Sequence, residues 1–204
     1  MNTSLHESSP MSFYIHVQET PNPTAVKFIS VHTVKAEGKS DYGAVDDAVA
    51  NPLAQKLFAL EGVKHLFFFD NYITVTRTDD ADWGPLGEAI LDLLQQELPV
   101  HNPHYADPAS EATQEPEDMT PEVREISEIL DRTVRPYLVA DGGNIRVERR
   151  EGNTVYVRYE GACGTCPSSI GGTLAAIQNV LCDELGADIE VIETGGAGEA
   201  YGHW

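Results

Sequence analysis

The sequence predicts an α+β protein: two small α+β domains joined by an acidic linker. Three observations carry that reading. Apolar residues recur at period two in short runs and at helical spacing in others, and both patterns occur in each half of the chain. A stretch rich in Pro, Ala and acids, poor in branched apolar residues and without a period, separates the halves. A hydrophobic fraction of 41% is enough for packed cores. The expected boundaries are an N-terminal domain over 11–98, a linker over 99–119, a C-terminal domain over 120–194 and a Gly-rich tail over 195–204.

In the N-terminal half, Phe13, Ile15 and Val17 alternate as in a strand. Pro21-Asn22-Pro23 is a turn, and a second strand follows near Ala25–Val31. Asn51-Pro52 places an N-cap residue before proline at the first helical position, and Leu53, Leu57 and Leu60 give that helix its apolar side. Val63–Phe69 and Tyr72–Arg77 flank Asp70-Asn71 as a hairpin. Phe67-Phe68-Phe69 is expected to be strand core, with the middle ring facing the other side. A last helix spans about Pro85–Leu98. No cysteine lies in this half.

The C-terminal half opens on Thr120-Pro121, again cap then proline. Val123, Ile126, Leu130, Val134 and Tyr137 predict one helix running to about Leu138. Asp141-Gly142-Gly143 is a turn of residues that tolerate positive φ. Asn144–Arg150 and Thr154–Glu160 are strands joined through Glu151-Gly152-Asn153. A helix over about Ser169–Leu185 and a strand over Ile189–Ile192 complete the order α-β-β-α-β.

The net charge of −20 comes from 33 acids against 13 bases, and no segment is basic. Phosphate neutralisation needs Lys and Arg, so nucleic-acid binding is disfavoured. No apolar run is long enough to cross a membrane. The first ten residues show neither a secretory signal nor an Arg-rich transit peptide, so a cytoplasmic location, or a mature form already trimmed, is expected. His101 and His104, three apart in the linker, are weak grounds for a metal site and are expected in solvent.

Chemistry concentrates in Gly161-Ala162-Cys163-Gly164-Thr165-Cys166-Pro167-Ser168-Ser169. Cys163 and Cys166 stand at a strand-to-helix junction, where helix N–H groups and the dipole favour a thiolate. The glycines let the loop wrap closely, and Val155 and Val157 are placed to shield one side. Cys182 lies far along the predicted helix, next to the inward Leu181, and is expected to be a half-buried thiol. One chain therefore offers two good thiolates where a tetrahedral zinc or an iron–sulfur cluster needs four. A site shared between two chains satisfies either group. A thioredoxin-like dithiol is disfavoured by the missing preceding Trp and by the element order. A ferredoxin-like electron carrier and a zinc-bridged interaction module stand as alternatives.

These residues also resemble a known family. Asp141-Gly142-Gly143, the hairpin, the cysteine loop and Thr173-Leu174 are similar to the NifU-like domain. Gln18-Glu19-Thr20-Pro21-Asn22-Pro23, Lys27-Phe28, Pro52-Leu53-Ala54, Glu61-Gly62-Val63 and Tyr72-Ile73-Thr74-Val75-Thr76 resemble the N-terminal domain of Nfu-type proteins. The resemblance implies an iron–sulfur cluster carrier or scaffold, not an enzyme. Cys163 and Cys166 match the family's cluster ligands. It further implies a 4Fe–4S cluster shared across a homodimer (2Fe–2S being the other nuclearity), with apo iron–sulfur proteins and assembly factors as partners.

Overall fold

The computed structural model describes residues 14–107, 119–164 and 167–194, with side chains from 172 onward in the last stretch. Phe13, Cys166, the Ile170 side chain and the Gly-rich tail fall outside what is described. Strands and helices mix in both halves, so the class is α+β.

The N-terminal half is a five-stranded antiparallel sheet under two helices. Its strands are β1 (Ile15–Glu19), β2 (Ala25–Ser30), β3 (Lys35–Tyr42), β4 (Val63–Asp70) and β5 (Tyr72–Arg77), in spatial order β1-β2-β5-β4-β3. The helices are α1 (Pro52–Phe58) and α2 (Trp83–Glu97). Asn51 caps α1 by accepting from the Ala54 N–H at 3.2 Å, as the Asn-Pro pair predicts. Period two then sorts the strands. Val26, Phe28, Leu66, Phe68, Ile73 and Val75 face the helices with Leu57, Ile90 and Leu94. Asp70 turns the β4–β5 hairpin at φ 46°, which a short polar side chain tolerates.

Strand β3 has no counterpart in the sequence reading. Its residues, Lys-Ala-Glu-Gly-Lys-Ser-Asp-Tyr, do not alternate, and its register with β4 shifts between Lys35 and Lys39 around Gly38 at φ 67°. A bulged edge strand of polar residues carries no period-two signal.

The expected linker also begins later than its composition suggests. Residues 101–107 pack on the N-terminal domain: Tyr105 and Asp107 are buried, and Ala36 N–H donates to Pro103 O at 3.0 Å. His101, expected in solvent, is half-buried. Its Nε2 lies 2.7 Å from Val34 O, and its ring sits beside Phe68 and Tyr105. His104 is exposed. The Asp107 carboxylate receives the Tyr42 hydroxyl, and Asn51 donates to that hydroxyl at 3.3 Å. Lys35 donates to Tyr105 O at 3.0 Å. A short segment of mostly polar residues is thus held by buried polar bonds that composition does not register.

The C-terminal half has α3 (Pro121–Thr133), α4 (Arg135–Ala140), β6 (Gly143–Glu151), β7 (Thr154–Gly161), α5 (Pro167–Leu185) and β8 (Glu190–Glu193). The single helix expected to Leu138 is two. Pro136 has no N–H for the Arg132 carbonyl, so the chain breaks at Val134 and restarts with proline in the first turn of α4. Tyr137, expected inward, is 74% exposed as a result. β6 and β7 form the hairpin, turning at Gly152 with φ 60°. β8 pairs parallel to β7, with α5 as the crossover. Ile126, Leu130, Ile145, Val147, Val155, Val157, Ile177 and Leu181 make the core. Cys182 is half-buried there: its Sγ accepts from the Ile189 N–H at 3.3 Å, so the thiol ties α5 to the chain entering β8.

Replacing Tyr105 by Ala in the full chain should remove about 3 kcal/mol of stability, the usual scale for deleting a buried aromatic side chain. Urea unfolding measures it; an unchanged midpoint would mean that 101–107 does not belong to the N-terminal core.

Candidate functional site

The two halves touch, and they touch at the cysteine loop. The face of the N-terminal sheet turned away from its helices carries one row of residues in register across all five strands: Gln18, Lys27, Thr74, Phe67 and Asp41. Every member of the row reaches the other domain. Gln18 Nε2 donates to Ala140 O at 3.0 Å and Lys27 Nζ to Val139 O at 2.9 Å, so both cap the last carbonyls of α4. Thr74 Oγ1 donates to Gly142 O at 2.7 Å. The Phe67 ring lies against Gly161, and Asp41 Oδ1 accepts from the Gly161 N–H at 3.2 Å. Asn22, from the Pro21-Asn22-Pro23 turn, donates to Ala162 O at 3.0 Å. The backbone immediately before Cys163 is therefore held from the N-terminal domain on both its N–H and its C=O side.

Glycine makes this approach possible. Gly142 has φ 80°, and a Cβ there would stand 2.9 Å from Thr74 Oγ1. Gly161 has φ 64°, and a Cβ there would stand 2.7 Å from Gly142 O and 2.9 Å from the Phe67 ring. Both positions combine a left-handed backbone with a close contact, which only glycine meets without strain. At Gly143 a Cβ would lie 2.5 Å from Cys163 Sγ and 2.8 Å from Glu160 O. The Asp-Gly-Gly turn is thus a cradle around the Cys163 sulfur, linked to the loop by the Ala162 N–H donating to Gly142 O at 3.2 Å.

Cys163 is half-buried against the C-terminal core, where Val155 and Val157 are fully buried. Two buried tyrosines, Tyr72 of β5 and Tyr159 of β7, lie within electrostatic reach of its sulfur. Burial, reinforced by the Cys163 charge, pushes both phenols well above their usual range. This sulfur, packed against the core and approached closely by Gly143, fits a thiolate that binds a soft metal or an iron–sulfur cluster. Among the described residues no three His, Cys, Asp or Glu side chains gather into a ligand set. Cys166 falls outside the described residues, so the structure places one of the two expected ligands.

Charge completes the contact. Glu160, 1% exposed, pairs with Lys39 at 2.5 Å. Burial raises the Glu160 carboxyl above its usual range, and the ammonium works against that rise. His65 Nε2 lies 3.1 Å from Asp41 Oδ1, the same oxygen that receives Gly161 N–H. Burial alone would lower the His65 pKa, but the Asp41 carboxylate outweighs it and the net shift is upward. Sequence reasoning did not single out Asp41, Lys39, Thr74 or Glu160 for this role. The one signal was negative: charged and hydroxyl residues at alternate positions of strands whose other positions are core.

Comparison with known proteins gives the following. Residues 15–100 match the family model described as scaffold protein Nfu/NifU N terminal, and 126–192 match the NifU-like domain. The chain is 36% identical over 173 residues to the Homo sapiens protein named NFU1 iron-sulfur cluster scaffold homolog, mitochondrial, spanning 82% of this chain and 66% of that one. It is 35% identical over 178 residues to the Drosophila virilis protein of the same name, spanning 85% and 59%. The chain thus spans less than two thirds of the length of these curated relatives. A solved NifU-like protein from Saccharomyces cerevisiae overlaps 48% of this chain and 88% of its own, at 24% identity and a TM-score of 0.41.

The His65–Asp41 pair gives the contact a pH dependence of definite sign. With its folded pKa raised, His65 stabilises fully below its usual value of 6.5, and that contribution is lost as pH rises through the folded value. His101, whose pKa burial lowers, acts in the opposite sense and only below 6.5. The urea midpoint should therefore fall as pH rises above about 6.5, and His65→Gln should make that slope shallower. An identical slope in the variant would remove His65 from the interface energetics.

Proposed function

The chain belongs to the Nfu family of iron–sulfur cluster scaffold proteins, and from that premise we propose that it carries an iron–sulfur cluster between two chains and hands it to apo-proteins. The observation that supports this most directly is the Cys163 sulfur held half-buried in a glycine cradle at a strand-to-helix junction. Cys163 and Cys166 supply two thiolates, and a second chain supplies two more to a 4Fe–4S cargo. Release is ligand exchange. A thiolate of the acceptor bonds to an iron as a carrier thiolate leaves, one exchange at a time, with no net change in oxidation state. No general acid or base is required, and we assign no enzymatic step to this chain. Apo iron–sulfur proteins and assembly factors are the proposed partners. With only three cysteines in the chain, a reducing cytoplasmic setting belongs to the same proposal; the word mitochondrial is part of the relatives' names.

Half-burial suits a carrier. A sulfur sunk in the core would be stable but slow to exchange, whereas a fully exposed one would lose its cargo to solvent thiols. The cradle also fixes the direction in which the Cys163 sulfur points, so that two chains can present their thiolates to one object.

Anaerobic reconstitution with iron and sulfide, followed by metal counting and light scattering, tests the reading. The expected result is about two iron and two sulfide per chain in a dimer. Cys163→Ser should bind almost none and stay monomeric. A Cys163→Ser protein that holds a full cluster, or a parent chain that takes up zinc and no iron, would overturn the proposal.

A further inference from the structure

A groove of about 480 Å³ lies on the helix side of the N-terminal sheet, between β1 and α2. It is lined mainly by apolar side chains. Val17 and Phe28, opposite each other on β1 and β2, form one wall, and Trp83 and Leu91 of α2 form the other. Trp83, Gly87 and Leu91 recur every four residues, a row beside the core-facing Leu86, Ile90 and Leu94. Val17 is 43% exposed. Among the described residues β1 pairs with β2 alone, so the outer edge of the sheet is open next to the groove.

Gly87 lies in the middle of α2 and lines the groove. A glycine inside a helix is destabilising relative to alanine, and a Cβ at Gly87 would meet nothing within 4 Å. No close packing among the described residues requires glycine there, and its missing side chain widens the groove. The rim is acidic. Glu19 lines the groove and is exposed, and Glu88 and Asp92 stand exposed on the next row round α2. From Trp83 to Glu97 the helix carries three acids and no base, and no described lining residue is Lys or Arg.

We propose that this groove takes an extended segment of a partner protein in which large apolar side chains alternate with lysines or arginines. The segment adds to β1 as a further strand. Its apolar side chains enter the groove, and its bases meet Glu19, Glu88 and Asp92. The open edge selects an extended occupant, the apolar lining selects its anchors, and the rim selects its charge. Asn22 lines the same groove and donates to Ala162 O, beside Cys163, at 3.0 Å. A partner seated there rests against the turn that holds the cysteine loop. The site stands on shape and charge, and binding at it needs no cluster.

The test uses the full chain without iron. A phage-displayed library of random dodecapeptides is panned on the parent and counter-selected on Gly87→Leu, whose side chain enters the groove from a position with no neighbour within 4 Å of its Cβ. The selected peptides should set Lys or Arg between large apolar residues. A fluorescein-labelled synthetic copy should bind the parent, and bind Gly87→Leu about tenfold more weakly. Val17→Lys, at a residue 43% exposed, should weaken binding similarly by repelling the bases, and it decides alone if urea unfolding shows that Gly87→Leu loosens the fold. Peptides selected without bases, no selection at all, or equal binding to the parent and the folded variants would overturn the proposal. A chain begun at residue 14 that selects peptides where the full chain does not would give the groove to the chain's own N-terminal segment. A dimer of the iron-free chain that Gly87→Leu dissociates would give it to a second copy. Either result also overturns the proposal. A parent that takes up no iron on reconstitution sinks the carrier reading and leaves the peptide result standing.

Discussion

One row of side chains governs how this molecule is put together. Gln18, Lys27, Thr74, Phe67 and Asp41 stand in register across five strands, and each seats on backbone of the other domain. The sheet is therefore covered on both faces, by its own helices on one and by the cysteine-bearing domain on the other. A sheet face with lysine and threonine on its inner strands and aspartate at its edge is covered at low cost only if the covering surface offers matched donors and acceptors. The last carbonyls of α4, the Gly142 carbonyl and the Gly161 N–H provide that match. These groups sit at a helix end and beside tight turns, where backbone polar atoms stay open to partners from outside.

The glycines follow from the same contact. Backbone can serve as the docking surface only where no Cβ intervenes, and Gly142 and Gly161 adopt positive φ at the points of closest approach. Gly143 continues the pattern toward the sulfur of Cys163. Sequence motifs lying far apart, Pro21-Asn22-Pro23 in one domain and Asp141-Gly142-Gly143 in the other, thus meet around one loop. Asn22 reaches the carbonyl next to Cys163, so the turn in the first domain and the cysteine loop in the second form one structural unit.

This arrangement changes what the N-terminal domain contributes. The proposed carrier role asks little chemistry of the protein but asks for control over how firmly a sulfur is held. That control comes from hydrogen bonds to the loop, from shielding by apolar side chains and from the charges nearby. Lys39–Glu160 places a buried ion pair beside the loop and His65–Asp41 a half-buried one; removing one partner of the buried pair leaves the other charge uncompensated. The cysteine site is thus built into an interdomain contact and is sensitive to anything that loosens it.

The sequence by itself determined the α+β class, the helix starts at Asn51-Pro52 and Thr120-Pro121, the two hairpins and the place of the cysteine pair after the second strand of the second hairpin. Each of these is a local signal: a cap, a turn pair, a period of two or 3.6, or a spacing of thiols. It determined neither β3, whose polar residues do not alternate, nor the break at Val134, which proline imposes on an otherwise regular apolar pattern. It also placed 99–107 in a linker, because Pro, His and Asp look solvated until a buried Tyr42 hydroxyl and a Phe68 ring claim them. Only the tertiary structure decided that the domains touch and that Asn22, Asp41 and Thr74 hold the Cys163 loop. The physical reason is that a hydrogen bond across more than a hundred residues depends on which sheet face meets which turn, and no local pattern encodes that pairing.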